Sequence, residues 1–227
     1  MTGTLVNMAS ILVGGGLGLL FRGKIPPKMS EGITKALGLC VCVIGVSGAL
    51  QGDTMLLVSS LALGALTGEL LHIDAGLNRF GDWLQKKFSR SDKKSTFSEG
   101  FVTTTLLFCV GAMAIVGSID SGLRGDRSII FTKSILDGFS AMLFASTLGY
   151  GVLFSAVTVL VYQGSIEIFA GALQNILTPA LVTQISAAGS VMILGIGLIM
   201  TVNIRLKVAN LLPGLLFAVA YYYLFLQ

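Results

Sequence analysis

The sequence predicts an all-α polytopic membrane protein: about seven transmembrane helices, built from repeated helical hairpins plus interfacial amphipathic helices. Three observations predict it. Hydrophobic residues make up 54% of the 227 residues and charged residues only 11%, against about 25% charged in a soluble domain. Mean hydropathy is +0.87, too apolar for a surface that faces water. The apolar residues are gathered into seven runs of spanning length, and these do not alternate polar and apolar as barrel strands would.

The spans are predicted at Leu5–Phe21, Ile33–Leu50, Met55–Leu71, Phe101–Ile119, Phe139–Tyr162, Leu181–Val202 and Val208–Phe225. Lipid offers backbone groups no partner, so each run is a helix. MTGTLVNMAS has no basic region before its apolar run, so the first run is expected to be a retained span. Three entries share a helix-start pattern: Ser30-Glu31-Gly32, Ser98-Glu99-Gly100 and Thr178-Pro179-Ala180. The hydroxyl caps free N–H groups, Glu suits the positive helix end, and Pro fits the first helical position.

Asp74–Phe88 places Leu77, Phe80 and Leu84 at helical spacing, with Trp83 as an anchor, and reads as a helix in the membrane interface. Ser89–Ser98 is a charged loop. Gly164–Leu177 is too short to span and reads as a second interfacial or re-entrant helix. Residues 1–227 then form a single transmembrane domain: a leading helix at 5–21 and hairpin repeats at about 30–88, 98–177 and 178–227.

The net charge of +4 comes from basic residues in loops, which topology explains without nucleic acid. Ten Lys and Arg fall on one side of a seven-span chain and five on the other, which predicts the N-terminus outside and the C-terminus cytoplasmic. Cys40, Cys42 and Cys109 lie in apolar runs, an odd number that fits packing thiols rather than disulfides. With one His in the chain, no metal site is expected, and no cofactor.

A short pattern recurs: ASILVG at 9–14, SSLALG at 59–64, STLGYG at 146–151 and ANLLPG at 209–214. Met55–Leu66 also matches Met142–Leu153 at six of twelve positions. The columns Ser10/Ser60/Thr147/Asn210 and Gly14/Gly64/Gly151/Gly214 lie four apart, so each pair is expected on one helix face, in spans that all point the same way. Small residues let helices approach in lipid, and hydroxyl or amide groups bond across them. The plain reading is tight packing; the functional one is a polar path lined by Ser10, Ser60, Thr147 and Asn210.

Ionisable groups near a membrane interior are functional candidates. Glu69, with His72 three residues later, is expected as an interfacial pair or a proton or cation site. The stretch 118–140, with Asp120, Asp126, Lys133 and Asp137, departs from the repeat. Its alternatives are a re-entrant or external lid or gate over 128–138 and an amphipathic surface helix, with Lys133 and Asp137 paired four apart. Pro213 interrupts the last span near Asn210. Phosphate-loop, zinc-protease, serine-hydrolase and dinucleotide motifs are absent, so no catalytic residue is assigned and no enzyme is expected.

GTLVN, the GELL-to-RFG stretch, FCVGAMAIVGSIDSGLRGD, KSILDG, LGYGVLFSAVTVLVYQG and VANLLPGLL together resemble the bacterial multi-spanning family of the YqgA/YdfK type. The likeness runs in order over nearly the whole chain. It implies a bacterial inner-membrane protein and supplies no substrate and no catalytic residue. The expected function is transport or permeation of a small polar solute or ion. The alternative is a membrane scaffold or regulator acting through an oligomer surface or its basic loop. Membrane lipid is one partner, and the glycine-rich faces suggest a homo-oligomer, a symmetric dimer in the first instance.

Overall fold

The computed structural model describes residues 1–22, 24, 26–77, 79, 96–202 and 204–226. Its helices are α1 (Thr2–Phe21), α2 (Pro27–Ala49), α3 (Thr54–Leu70), α4 (Thr96–Cys109), α5 (Ala112–Arg124), α6 (Ser128–Leu148), α7 (Gly151–Ile168), α8 (Ala170–Leu173), α9 (Pro179–Val202) and α10 (Pro213–Phe225), with a 3-10 turn at Val208–Leu211 before α10. No strand occurs among the described residues. Six helices are long and apolar enough to cross a membrane, and the pair α4–α5, bent by 58°, makes a seventh. The 17-residue α3 is the shorter apolar helix. The all-α polytopic class is therefore what the chain adopts.

Three expectations change. The fifth span, Phe139–Tyr162, is two helices: α6 ends at Leu148 and α7 begins at Gly151. The break is at Gly149, whose φ of 83° and ψ of −149° suit only glycine. Because LGYG is as apolar as its flanks, hydropathy runs straight through the turn. The lid over 128–138 is the first half of α6, and Gly125, with φ of 69°, ends α5 just before it. Residues 164–168 are the last turn of α7, not an interfacial helix. The interruption expected at Pro213 is present: a 3-10 turn ends at Leu211 and Pro213 opens α10, where its missing N–H costs nothing. The expected interfacial helix at 74–88 is helical from 73 to 77; Phe80, Trp83 and Leu84 lie outside the described residues.

The chain folds into two compact units, each discontinuous in sequence. The first holds residues 1–31 and 81–178, hence α1 and α4–α8. Here α1 runs parallel to α6, glycine against backbone. A Cβ on Gly14 would sit 2.0 Å from the Gly138 oxygen, and one on Gly18 would sit 2.1 Å from the Met142 oxygen. The helix α7 runs antiparallel to α1 and parallel to the bent α4–α5 pair. Gly15 faces Leu153, Gly151 faces the Phe97 carbonyl and Gly122 faces the Glu167 carbonyl. Phe97 and Phe154 pack edge to face at 5.2 Å between α4 and α7.

The second unit holds residues 32–80 and 179–227. Asp53 caps α3 by accepting from the Leu56 N–H at 2.8 Å, and its own N–H donates to Gln184 Oε1 at 2.8 Å. Glycines again set the helix pairs. Gly64 meets Gly214 and Gly68 meets the Asn210 backbone, so α3 and α10 are antiparallel. Gly45 meets Leu194 and Gly48 meets Ser190, which makes α2 and α9 antiparallel. Leu56, Ala188 and Ala218 form a buried cluster here.

These packings correct the geometry of the recurring pattern. Thr147 and Gly151 fall on either side of the Gly149 break, so they do not share one helix face. Asn210 lies in the 3-10 turn and Gly214 in α10. The copies at 59–64 and 209–214 belong to helices that run in opposite directions.

A buried polar cluster as candidate functional site

The first unit buries a polar cluster among apolar helices. Asn7 lies roughly 8 Å along α1 at 1.5 Å per residue and is fully buried. Its Nδ2 donates to Asp137 Oδ2 of α6 at 3.0 Å and to Gln163 Oε1 of α7 at 3.1 Å. Lys133, one turn before Asp137, forms an ion pair with the same oxygen. The Lys133 ammonium also lies 5.9 Å from the ring centre of Phe108 on α4. One turn toward the end of α7, Glu167 accepts from Thr4 Oγ1 and from Ser121 Oγ of α5, each at 2.7 Å, and meets the Met1 ammonium at 2.5 Å. Thr4, Asn7 and Gln163 are fully buried; Lys133, Asp137 and Glu167 are nearly so.

The sequence positions these groups simply. Lys133 and Asp137 are four apart, hence on one face of α6. Thr4 and Asn7 are three apart on α1, and Gln163 and Glu167 four apart on α7. Gly14 and Gly18 bring α1 onto the α6 backbone, so short side chains reach across. Lys133 and Asp137 were expected on a lid or gate; they sit inside the helix packing instead. Asp120 pairs with Arg124 on α5 at 3.6 Å. Asp126 Oδ1 accepts from the Ser128 N–H at 3.0 Å and its hydroxyl at 2.7 Å, which starts α6. Those two bonds hold the Asp126 carboxyl below the usual carboxylate range.

The expected polar path is distributed differently. Ser10 and Thr147 belong to the first unit, Ser60 and Asn210 to the second. Ser10 packs against Gly138, and the hydroxyls of Ser60 and Thr147 bond to Leu57 and Phe144 carbonyls of their own helices. Asn210 is different: its Nδ2 donates to Glu69 Oε2, and its Oδ1 accepts from the Asp74 N–H at 2.7 Å. Glu69 also pairs with Lys207 at the exposed end of α3. That hydrogen bond and the charge of Glu69 raise the Lys207 pKa. His72 lies past the end of α3 with φ of 51°, off the helix face expected to carry it with Glu69.

Reading the sequence alone missed Thr4, Asn7 and Gln163 and placed Glu167 in the interface. The signal was present: an amide or acid inside an apolar run. For Gln163 it was lost because the fifth span ended at Tyr162, one residue before it; Asn7 lay inside the first span and was read as part of its apolar run. Among the described residues, no group of three His, Cys, Asp or Glu is arranged to hold a metal ion. The cluster joins α1, α5, α6 and α7 through hydrogen bonds and paired charge.

No solved structure matches the chain. Two curated proteins do. The uncharacterized membrane protein YdfK of Bacillus subtilis (strain 168) is 32% identical over 221 residues, covering 95% of this chain and 93% of that protein. The uncharacterized protein YqgA of Escherichia coli (strain K12) is 32% identical over 220 residues, covering 95% and 94%. The model of the family described as "Protein of unknown function (DUF554)" matches residues 2–223, and the chain belongs to that family of membrane proteins.

Proposed function

We propose that the protein moves a small polar solute or ion across the bacterial inner membrane. The observation that carries this reading is the cluster of Thr4, Asn7, Lys133, Asp137, Gln163 and Glu167 buried among helices of spanning length. Ionised and amide side chains are costly at such depth, and where they occur they mark substrate or ion routes. The test is flux into proteoliposomes of the purified protein, measured for ions and for neutral solutes. Flux above that of empty vesicles for any of them supports transport; baseline flux for all of them removes it.

Gly14, Gly18, Gly64 and Gly68 meet intramolecular backbone, whereas nothing lies within 4 Å of a Cβ on Gly16. Those four glycines therefore give no support to a scaffold that works through an oligomer surface.

The break at Gly149 adds a crossing, and α3, at 17 residues, meets the lower limit of about 17 for a spanning helix. We therefore count eight crossings along the chain. Twelve Lys and Arg then precede or follow spans on one side, and only Arg124 and Arg127 on the other, with Lys133 inside. This bias is steeper than the seven-span one. It supports an N-terminus outside, as expected, and moves the C-terminus outside as well.

A further inference from the structure

Two atoms of the cluster have no partner. Asn7 Oδ1 and Gln163 Nε2 are buried and make no hydrogen bond with the described residues. Both side chains are fully buried, so these atoms carry an uncompensated desolvation cost.

Their orientation is dictated, not interchangeable. A carboxylate paired with a lysine only accepts, so Asp137 draws the NH2 end of Asn7 toward itself. The second hydrogen of that NH2 then needs an acceptor, which draws Gln163 Oε1. Both amides are thereby fixed, and the acceptor Asn7 Oδ1 and the donor Gln163 Nε2 are left over, on adjacent helices. Turning either amide alone would set donor against donor or put the Asn7 oxygen on the carboxylate.

The charges nearby are already matched. Asp137 is met by Lys133, and both Glu167 oxygens accept hydrogen bonds or ion pairs. What remains on offer is neutral: one acceptor and one donor.

We propose that Asn7 Oδ1 and Gln163 Nε2 form the recognition site for a small uncharged solute that carries one donor and one acceptor, of the class of urea, glycerol or water. Asn7 Oδ1 accepts the solute's N–H or O–H, and Gln163 Nε2 donates to its carbonyl or hydroxyl oxygen. Asp137 and Lys133 do not touch the solute; they are positioning residues that set the two amides. This rests on the transport reading and names its substrate class.

The experiment is stopped-flow light scattering on proteoliposomes of the full chain, with urea, glycerol and a plain osmotic step as separate arms. Na+, K+ and Cl− fluxes are measured on the same vesicles. Permeation of one or more neutral probes above empty vesicles, with ion fluxes at baseline, is the expected result, and the arms tell amide, alcohol and water apart. Gln163→Glu keeps the shape but turns the free donor into an acceptor; it and Gln163→Met should lower that permeation by about tenfold, the loss of one hydrogen bond. If ions alone move, the substrate class is overturned and transport stands. If nothing moves, both fail. If both Gln163 variants, monodisperse in detergent, conduct like the parent, the site is overturned although transport stands.

Discussion

Asn7 of α1 donates one side-chain amide to both Asp137 of α6 and Gln163 of α7, at 3.0 and 3.1 Å. Three helices thus share one NH2 group, and its second bond depends on the first. The Lys133–Asp137 pair anchors this arrangement.

Removing one member of that pair should be far worse than removing both. Asp137→Leu leaves the buried Lys133 uncompensated, which costs about 3 kcal/mol or more. Thermal unfolding in detergent should show Asp137→Leu melting well below the parent, and Lys133→Met with Asp137→Leu recovering much of the loss. A double variant no better than the single would show that the pair does not act as a unit.

The glycines of α1 should split sharply. A Cβ at Gly14 would collide with the Gly138 backbone, whereas nothing lies within 4 Å of one at Gly16. Gly14→Ala should destabilise by about 1–3 kcal/mol through overpacking. Gly16→Ala should be neutral or gain up to about 1 kcal/mol of helix propensity. Equal melting temperatures would contradict the parallel packing of α1 on α6.

The Glu69–Lys207 tether should depend on pH in one direction. Lys207 has a raised pKa in the folded chain, so its contribution is complete below the ordinary lysine range and fades as pH rises through the higher folded value. Lys207→Met should melt below the parent at neutral pH, and the gap should close in strongly alkaline buffer. A gap that persists there would mean that packing rather than charge holds the site.

Sidedness can be read with a membrane-impermeant maleimide after Cys40, Cys42 and Cys109 are replaced by Ala. Asp126→Cys should react in intact cells and Tyr150→Cys only after lysis, and a cysteine added after Gln227 should react in intact cells. Labelling at both 126 and 150 in intact cells would return α6 and α7 to a single crossing.

Most helices were legible because lipid imposes a simple rule: apolar runs of spanning length become helices. The rule fails where composition does not change at a turn. Gly149 breaks the backbone inside LGYG, and hydropathy cannot register it. The reverse error came from Lys133 and Asp137. Their pairing four apart on a helix was legible, but the stretch was read as a lid or a surface helix, and α6 carries the pair inside. The cluster itself was hidden by distance, since Asn7 finds its partners 130 and 156 residues away. All of its residues but Glu167 nonetheless fall in GTLVN, SIDSGLRGD, KSILDG and VYQG, stretches through which the sequence resembles its family. The Asn210–Glu69 contact was half visible: each residue stood out alone, and only the antiparallel α3–α10 pairing joins them.

The discontinuity of the first unit bears on how the protein is made. Asn7 leaves the ribosome 130 residues before Asp137, on the order of ten seconds earlier at typical elongation rates. Over that interval α1 is in the membrane with its amide unmatched, while α2 to α5 follow. Biogenesis of this chain therefore separates insertion from assembly: the leading helix is threaded first and docks only when the helix carrying its carboxylate arrives.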